Sequence, residues 1–137
     1  MYVVRRVGEL IKREPVTVSP STSIRNAVKL MNERNVGSVV ITDPEGRVLG
    51  IFTERDLVKV VAGDISLDSD IGSVMTKNPV VVFEEDPVSK AVTIMAERRI
   101  RHLPVVTRRG TLRGVITARD ITETFKKYLD ELGDVGD

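Results

Sequence analysis

Gly50-Ile51-Phe52-Thr53-Glu54-Arg55-Asp56 returns, 64 residues later, as Gly114-Val115-Ile116-Thr117-Ala118-Arg119-Asp120. In both copies an apolar, strand-forming run ends on threonine and passes straight into helix-forming residues, so each predicts a strand turning directly into a helix. Thr and Asp stand three apart and share one face of that helix's first turn. The spacing is close to a capping box, and a first-turn carboxylate suits the helix dipole, so a structural role accounts for either copy taken alone.

The same shift of 64 holds outward in both directions. It lays Gly8 on Gly72, Pro15-Val16 on Pro79-Val80, Ala27-Val28 on Ala91-Val92, Met31 on Met95, Glu33-Arg34 on Glu97-Arg98 and Gly46 on Gly110. A register that never slips over this length is the mark of an internal duplication.

Each copy has the same local grammar. A proline introduces a β-branched run, Val16-Thr17-Val18 or Val80-Val81-Val82, which predicts a strand. A helix follows, with Thr22 as cap in the first copy and Asp86 as cap with Pro87 at the first helical position in the second. Ile24, Ala27, Val28 and Met31, like Val88, Ala91, Val92 and Met95, recur at helical spacing and predict one buried face, the two methionines within the core. Two further strands are predicted at Ser38 to Thr42 and Val48 to Phe52, turning through Asp43-Pro44-Glu45-Gly46, and again at Leu103 to Val106 and Leu112 to Ile116, turning at Gly110. The closing helices, from Thr53 and Thr117, should carry Leu57, Val60 and Val61, or Ile121 and Phe125, inward.

The expected class is α/β: two β-α-β-β-α repeats packed about a pseudo-twofold axis into one globular domain. Repeat 1 is placed at 7–62, a polar connector at 63–70, repeat 2 at 71–126, and a helix end with a frayed tail at 127–137. A unit of about 55 residues leaves one sheet face uncovered, which is why the two should pack together. Through Phe125, Leu129 and Leu132 the helical pattern continues, either covering the domain or meeting another copy; Gly133 to Asp137 should fray.

Composition narrows the function classes. A chain of 137 residues with 41% hydrophobic and 30% charged residues is that of a folded protein. It has no cysteine, hence no disulfide, thiolate metal site or cysteine nucleophile. The net charge of +1 gives no general attraction to nucleic acid, although Arg98, Arg99, Arg101, Arg108 and Arg109 crowd locally. The opening residues lack a long apolar core and no stretch approaches the roughly 18 apolar residues of a membrane span, so a cytoplasmic location is expected. No Walker A loop, Gly-x-Gly-x-x-Gly or His-Glu-x-x-His occurs, so no enzyme activity, catalytic cofactor or metal is expected.

The strand-to-helix Gly-apolar-apolar-Thr-x-x-Asp, the Pro-Val strand start, the Ala-Val-x-x-Met helix and Arg101-His102-Leu103-Pro104-Val105-Val106 together resemble the cystathionine-beta-synthase (CBS) domain, in its tandem form, over about residues 7 to 125. The resemblance implies a regulatory module that binds an adenine nucleotide in the cleft between repeats. AMP is the favoured ligand, with ADP, ATP or S-adenosylmethionine as alternatives. It implies that the motif Asp accepts hydrogen bonds from both ribose hydroxyls while the Thr helps hold sugar and phosphate. A carboxylate with two oxygens suits a vicinal diol.

One implied site combines Thr53 and Asp56 with Asn78, Pro79, Val80 and Arg101-His102. Its mate combines Thr117, Arg119 and Asp120 with Pro15, Val16, Thr17, Gly37 and Ser38. Because Gly37-Ser38 in one repeat corresponds to Arg101-His102 in the other, unequal occupancy is expected, favouring the Thr117/Asp120 site. Arg55 and Arg119 face either phosphate or solvent, and His102, the single histidine, is either a ligand contact or a packing residue. The resemblance further implies a homodimer acting on an unknown effector protein in trans. The alternative is a dimeric interaction scaffold with no physiological nucleotide.

Overall fold

The computed structural model describes residues 3–136, and the side chains of residues 3–133. The chain divides into two compact units, and neither is a continuous stretch.

One unit is built from Glu14–Val80 with Arg108–Leu112. Its elements are β1 (Thr17–Val18), α1 (Ile24–Arg34), β2 (Ser38–Thr42), β3 (Val48–Thr53), α2 (Glu54–Ala62) and, after a 3-10 turn at Ile71–Ser73, β4 (Thr76–Lys77). They form a sheet of order β1-β2-β3-β4, with β1 parallel to β2 and the later pairs antiparallel. Asp43 shapes the β2–β3 turn, its Oδ1 accepting from the amides of Glu45 and Arg47 at 3.0 and 2.9 Å. The expected apolar face of α1 is buried: Ile24, Ala27 and Met31 close over Val16, Val39, Ile41, Phe52, Val60 and Ile71. Strand β4 has no counterpart in the sequence reading.

The other unit comprises Met1–Arg13, Val81–Thr107 and Arg113–Asp137. A 3-10 turn at Val7–Leu10 precedes β5 (Val82–Phe83), α3 (Val88–Arg98), β6 (His102–Val106), β7 (Leu112–Thr117) and α4 (Ala118–Gly136), in a sheet of order β5-β6-β7. Its core holds Val7, Leu10, Val82, Ala91, Leu103, Val105 and Ile116, with Val88 and Met95 also buried. Helix α4 runs through Gly133 to Gly136, beyond the apolar pattern, with Tyr128 Oη accepting from the Val4 amide at 2.6 Å; Asp137, the last residue of the expected tail, lies outside the described residues.

The units differ from the linear repeats because the leading segments are exchanged and because Arg108–Leu112 joins the first unit, the Leu112 amide donating to Gly46 at 2.9 Å. The amides of Val7 and Gly8 donate to the carbonyls of Asp86 and Glu84, both at 2.9 Å. Sixty-four residues on, Ile71 and Gly72 donate to Thr22 and Pro20 at 2.7 and 3.0 Å. The bridges Arg6 to Pro87 and Ser23 to Asp70 complete the same crossing. Each leading segment thus folds onto the strand and helix start of the other repeat.

Several local expectations are corrected. Helix α1 is capped by Ser23, whose side chain accepts from the Asn26 amide at 3.1 Å, and Thr22 instead bonds Ser19. In α3 Pro87 occupies the cap itself without a side-chain bond, while Asp86 accepts from the Phe83 amide at 2.9 Å and pairs with Lys90. The short strands sit one or two residues later than the β-branched runs, and Val61 and Phe125 point outward, 65% and 40% exposed, because each lies at the edge of its helix's buried stripe. Ser23→Ala is expected to lower stability by about 1 kcal/mol in urea unfolding, and Thr22→Ala by only a few tenths of that.

Candidate functional site

Both strand-to-helix turns form as the sequence predicts, and each fixes its Thr-Asp pair by a reciprocal cap. In the first, Asp56 Oδ2 accepts from the Thr53 amide at 2.9 Å and from Thr53 Oγ1 at 3.4 Å. In the second, Asp120 Oδ2 accepts from the Thr117 amide at 2.9 Å while Thr117 Oγ1 accepts from the Asp120 amide at 3.0 Å. The capping role is therefore real in both copies.

The copies differ in what else reaches the carboxylate. Asp120 is 1% exposed and is gripped by Arg13, with Nη2 2.9 Å from Oδ1 and Nη1 3.3 Å from Oδ2. Asp56 is half-buried and has no ion pair among the described residues. Burial pushes the Asp120 carboxyl up, but the Arg13 hydrogen bond, the Thr117 amide, the Arg13 charge and the Thr117 hydroxyl together hold it below its ordinary value.

Backbone pairing decides which candidate residues are neighbours. The Glu54 amide donates to Gly37 at 3.1 Å and Ser38 sits opposite Thr53, so Gly37-Ser38 lines the turn that holds Asp56. The Ala118 amide donates to Arg101 at 2.9 Å, so Arg101-His102 lines the turn that holds Asp120. Within each hairpin, then, each dipeptide borders the Thr-Asp turn of its own repeat.

Asn78 is exposed, at φ +46°, and its amide donates to Leu49 at 3.2 Å; Pro79 and Val80 follow it in the same unit as Thr53 and Asp56. Pro15 and Thr17 flank the buried Val16 in that unit too, with Val40 donating to the Val16 carbonyl at 2.9 Å. Thr117, Arg119, Asp120, Arg101 and His102 belong to the other unit. Arg119 lies along the outer surface of α4, its Nε 2.9 Å from Glu123. Glu123 also takes Lys12 at 3.3 Å.

Ser38 and Asp120 are the buried polar or charged residues among those described, and both fall within the candidate set. Arg13 was missed by sequence reasoning. Its signal was the cation two residues before proline in each repeat, Arg13 before Pro15 and Lys77 before Pro79.

A duplicated strand-to-helix turn with a capped carboxylate, buried in the second copy, defines a class, and comparison with known proteins places the chain in it. The CBS domain model matches residues 7–63 and 71–127, and the chain belongs to the CBS domain family. An uncharacterised 17.7 kDa protein of Acidianus ambivalens is 38% identical over 120 residues, 88% of this chain and 73% of its own length. Among solved structures, a CBS domain protein from Pyrobaculum aerophilum complexed with AMP has a TM-score of 0.79 at 34% identity, covering 84% of this chain and 88% of that one. The CBS domain pair of protein MJ0100, in complex with 5′-methylthioadenosine and S-adenosyl-L-methionine, has a TM-score of 0.83 at 28% identity, covering 90% and 97%. Two sheets and four helices match these CBS pairs. No helix among the described residues is long and apolar enough to cross a membrane.

Proposed function

We propose that the protein is a non-catalytic sensor that binds an adenine nucleotide through its two Thr-x-x-Asp turns and acts in trans on a separate cytoplasmic effector. The observation that carries this reading is Asp120, a carboxylate kept ionised at 1% exposure where a strand turns into a helix. Arg13 and the Thr117 amide match that buried charge, and two solved CBS relatives are in complex with adenosyl compounds. Thr53 and Asp56 form the second turn. Arg101, His102, Gly37 and Ser38 flank the two turns and give them unequal chemistry. AMP is the favoured ligand, and ADP, ATP and S-adenosylmethionine are competitors for it.

A second reading, a homodimeric scaffold without a nucleotide, draws on the exposed apolar residues Val58 and Val61 on α2 and Phe125, Leu129 and Leu132 on α4. Calorimetric titration of AMP, ADP, ATP and S-adenosylmethionine separates the two. The sensor reading expects micromolar binding, about 8 kcal/mol, weakened tenfold or more by Asp56→Ala, Asp120→Ala or both. Absence of binding by folded wild type would leave the scaffold.

A further inference from the structure

Arg13 reaches Asp120 with both terminal nitrogens, and with the Thr117 amide also on Oδ2 three of the carboxylate's roughly four acceptor directions are taken, leaving one on Oδ1. A ribose diol needs the same two oxygens. The Arg13 side chain is 44% exposed and has a flexible stem, whereas the Asp120 side chain it holds is buried, so the arginine is the partner free to move. Its neighbours are committed elsewhere: Lys12 and Arg119 both end on Glu123. At the corresponding place in the other repeat stands Lys77, and Asp56 there makes no ion pair among the described residues. The competition is confined to one of the two turns.

Displacing Arg13 exchanges a two-point ion pair for two hydroxyl-to-carboxylate hydrogen bonds and removes the guanidinium's anion. A neutral nucleoside supplies no replacement, and a sulfonium ligand adds a like charge. A nucleotide brings its own phosphate, which accepts the same planar fork bidentately.

We propose that Arg13 sets the ligand class of the Thr117/Asp120 turn, holding the carboxylate when the site is empty and yielding it to adenosyl ligands that carry a phosphate. The inference rests on the adenine-nucleotide reading above and goes further by assigning the selection to one side chain.

The test is titration of the full-length Asp56→Ala protein with AMP and with adenosine, alone and combined with Arg13→Gln or Arg13→Lys, each checked for folding by circular dichroism. With Arg13 present, AMP is expected to bind roughly tenfold to hundredfold more tightly than adenosine. Arg13→Gln should collapse that ratio about tenfold or more, by weakening AMP and strengthening adenosine. Arg13→Lys keeps the charge and should retain preference for AMP. An AMP-to-adenosine ratio unchanged by Arg13→Gln overturns the proposal while leaving the sensor reading intact, as does equal loss in Arg13→Lys or equal affinity of the parent for both ligands. Failure of wild type to bind either compound overturns both.

Discussion

Gly50→Ala is expected to lower the stability of the protein by about 2–3 kcal/mol in urea unfolding, and Gly114→Ala by about 1 kcal/mol. The two glycines are 64 residues apart and each lies under an exchanged leading segment. A Cβ at Gly50 would overlap Met75 Sδ and lie 2.8 Å from Met75 Cγ and 2.9 Å from the Thr76 carbonyl oxygen. The carbonyl belongs to β4, which is hydrogen-bonded to β3 and cannot retreat without breaking the ladder. A Cβ at Gly114 would meet the Ile11 side chain instead, at 2.8 and 2.9 Å from Cγ2 and Cδ1, and a rotatable side chain relieves part of the overlap. Equal costs at the two sites would mean that β4 is not pinned against β3 as described.

The second large effect is the dependence of stability on Asp120 and on pH. Removing one member of a buried, hydrogen-bonded ion pair leaves the other uncompensated, a loss of 3–5 kcal/mol when both are buried, roughly. Arg13 is partly solvated, so Asp120→Ala should cost about 2 kcal/mol at pH 7. The folded-state pKa of Asp120 lies below its unfolded value, so its contribution is fully present above the unfolded value near about 4 and is lost as pH falls through the folded one. Chemical unfolding at pH 7 and at pH 3 should therefore show the gap between wild type and Asp120→Ala narrowing in acid. A gap that widens or stays constant would contradict the ion pair as the source of the effect. Asp56→Ala, which removes a half-buried capping carboxylate without a cation, should cost only about 1 kcal/mol at pH 7.

Much of this was legible from residues. The shift of 64 located both hairpins and all four helices, because apolar periodicity and turn chemistry are local signals. Ile24, Ala27 and Met31 are buried where the pattern put them. The Thr-Asp pairs were legible as caps for the same reason. Which of two adjacent hydroxyl residues caps α1 was not, since Thr22 and Ser23 are both competent by residue type.

The exchange was illegible for a deeper reason. Val7, Leu10 and Ile11 announce an apolar segment, but two repeats of the same β-α-β-β-α pattern offer it two corresponding docking places, and periodicity carries no record of which one is taken. With the exchange went Arg13, whose partner Asp120 is 107 residues away in sequence.

The crossed leading segments also set the order in which the molecule can be completed. Arg6 donates through Nη1 to the Glu85 carbonyl, 79 residues on, so at about 5–20 residues per second the N-terminal segment waits several seconds of synthesis for its partner strand. Meanwhile the near-copy of that strand, around Pro20 and Thr22, is already made, and it is later claimed by Ile71 and Gly72. The N-terminal segment can therefore close onto its native partner only once Glu84 to Asp86 have been made, well after the whole of the first repeat.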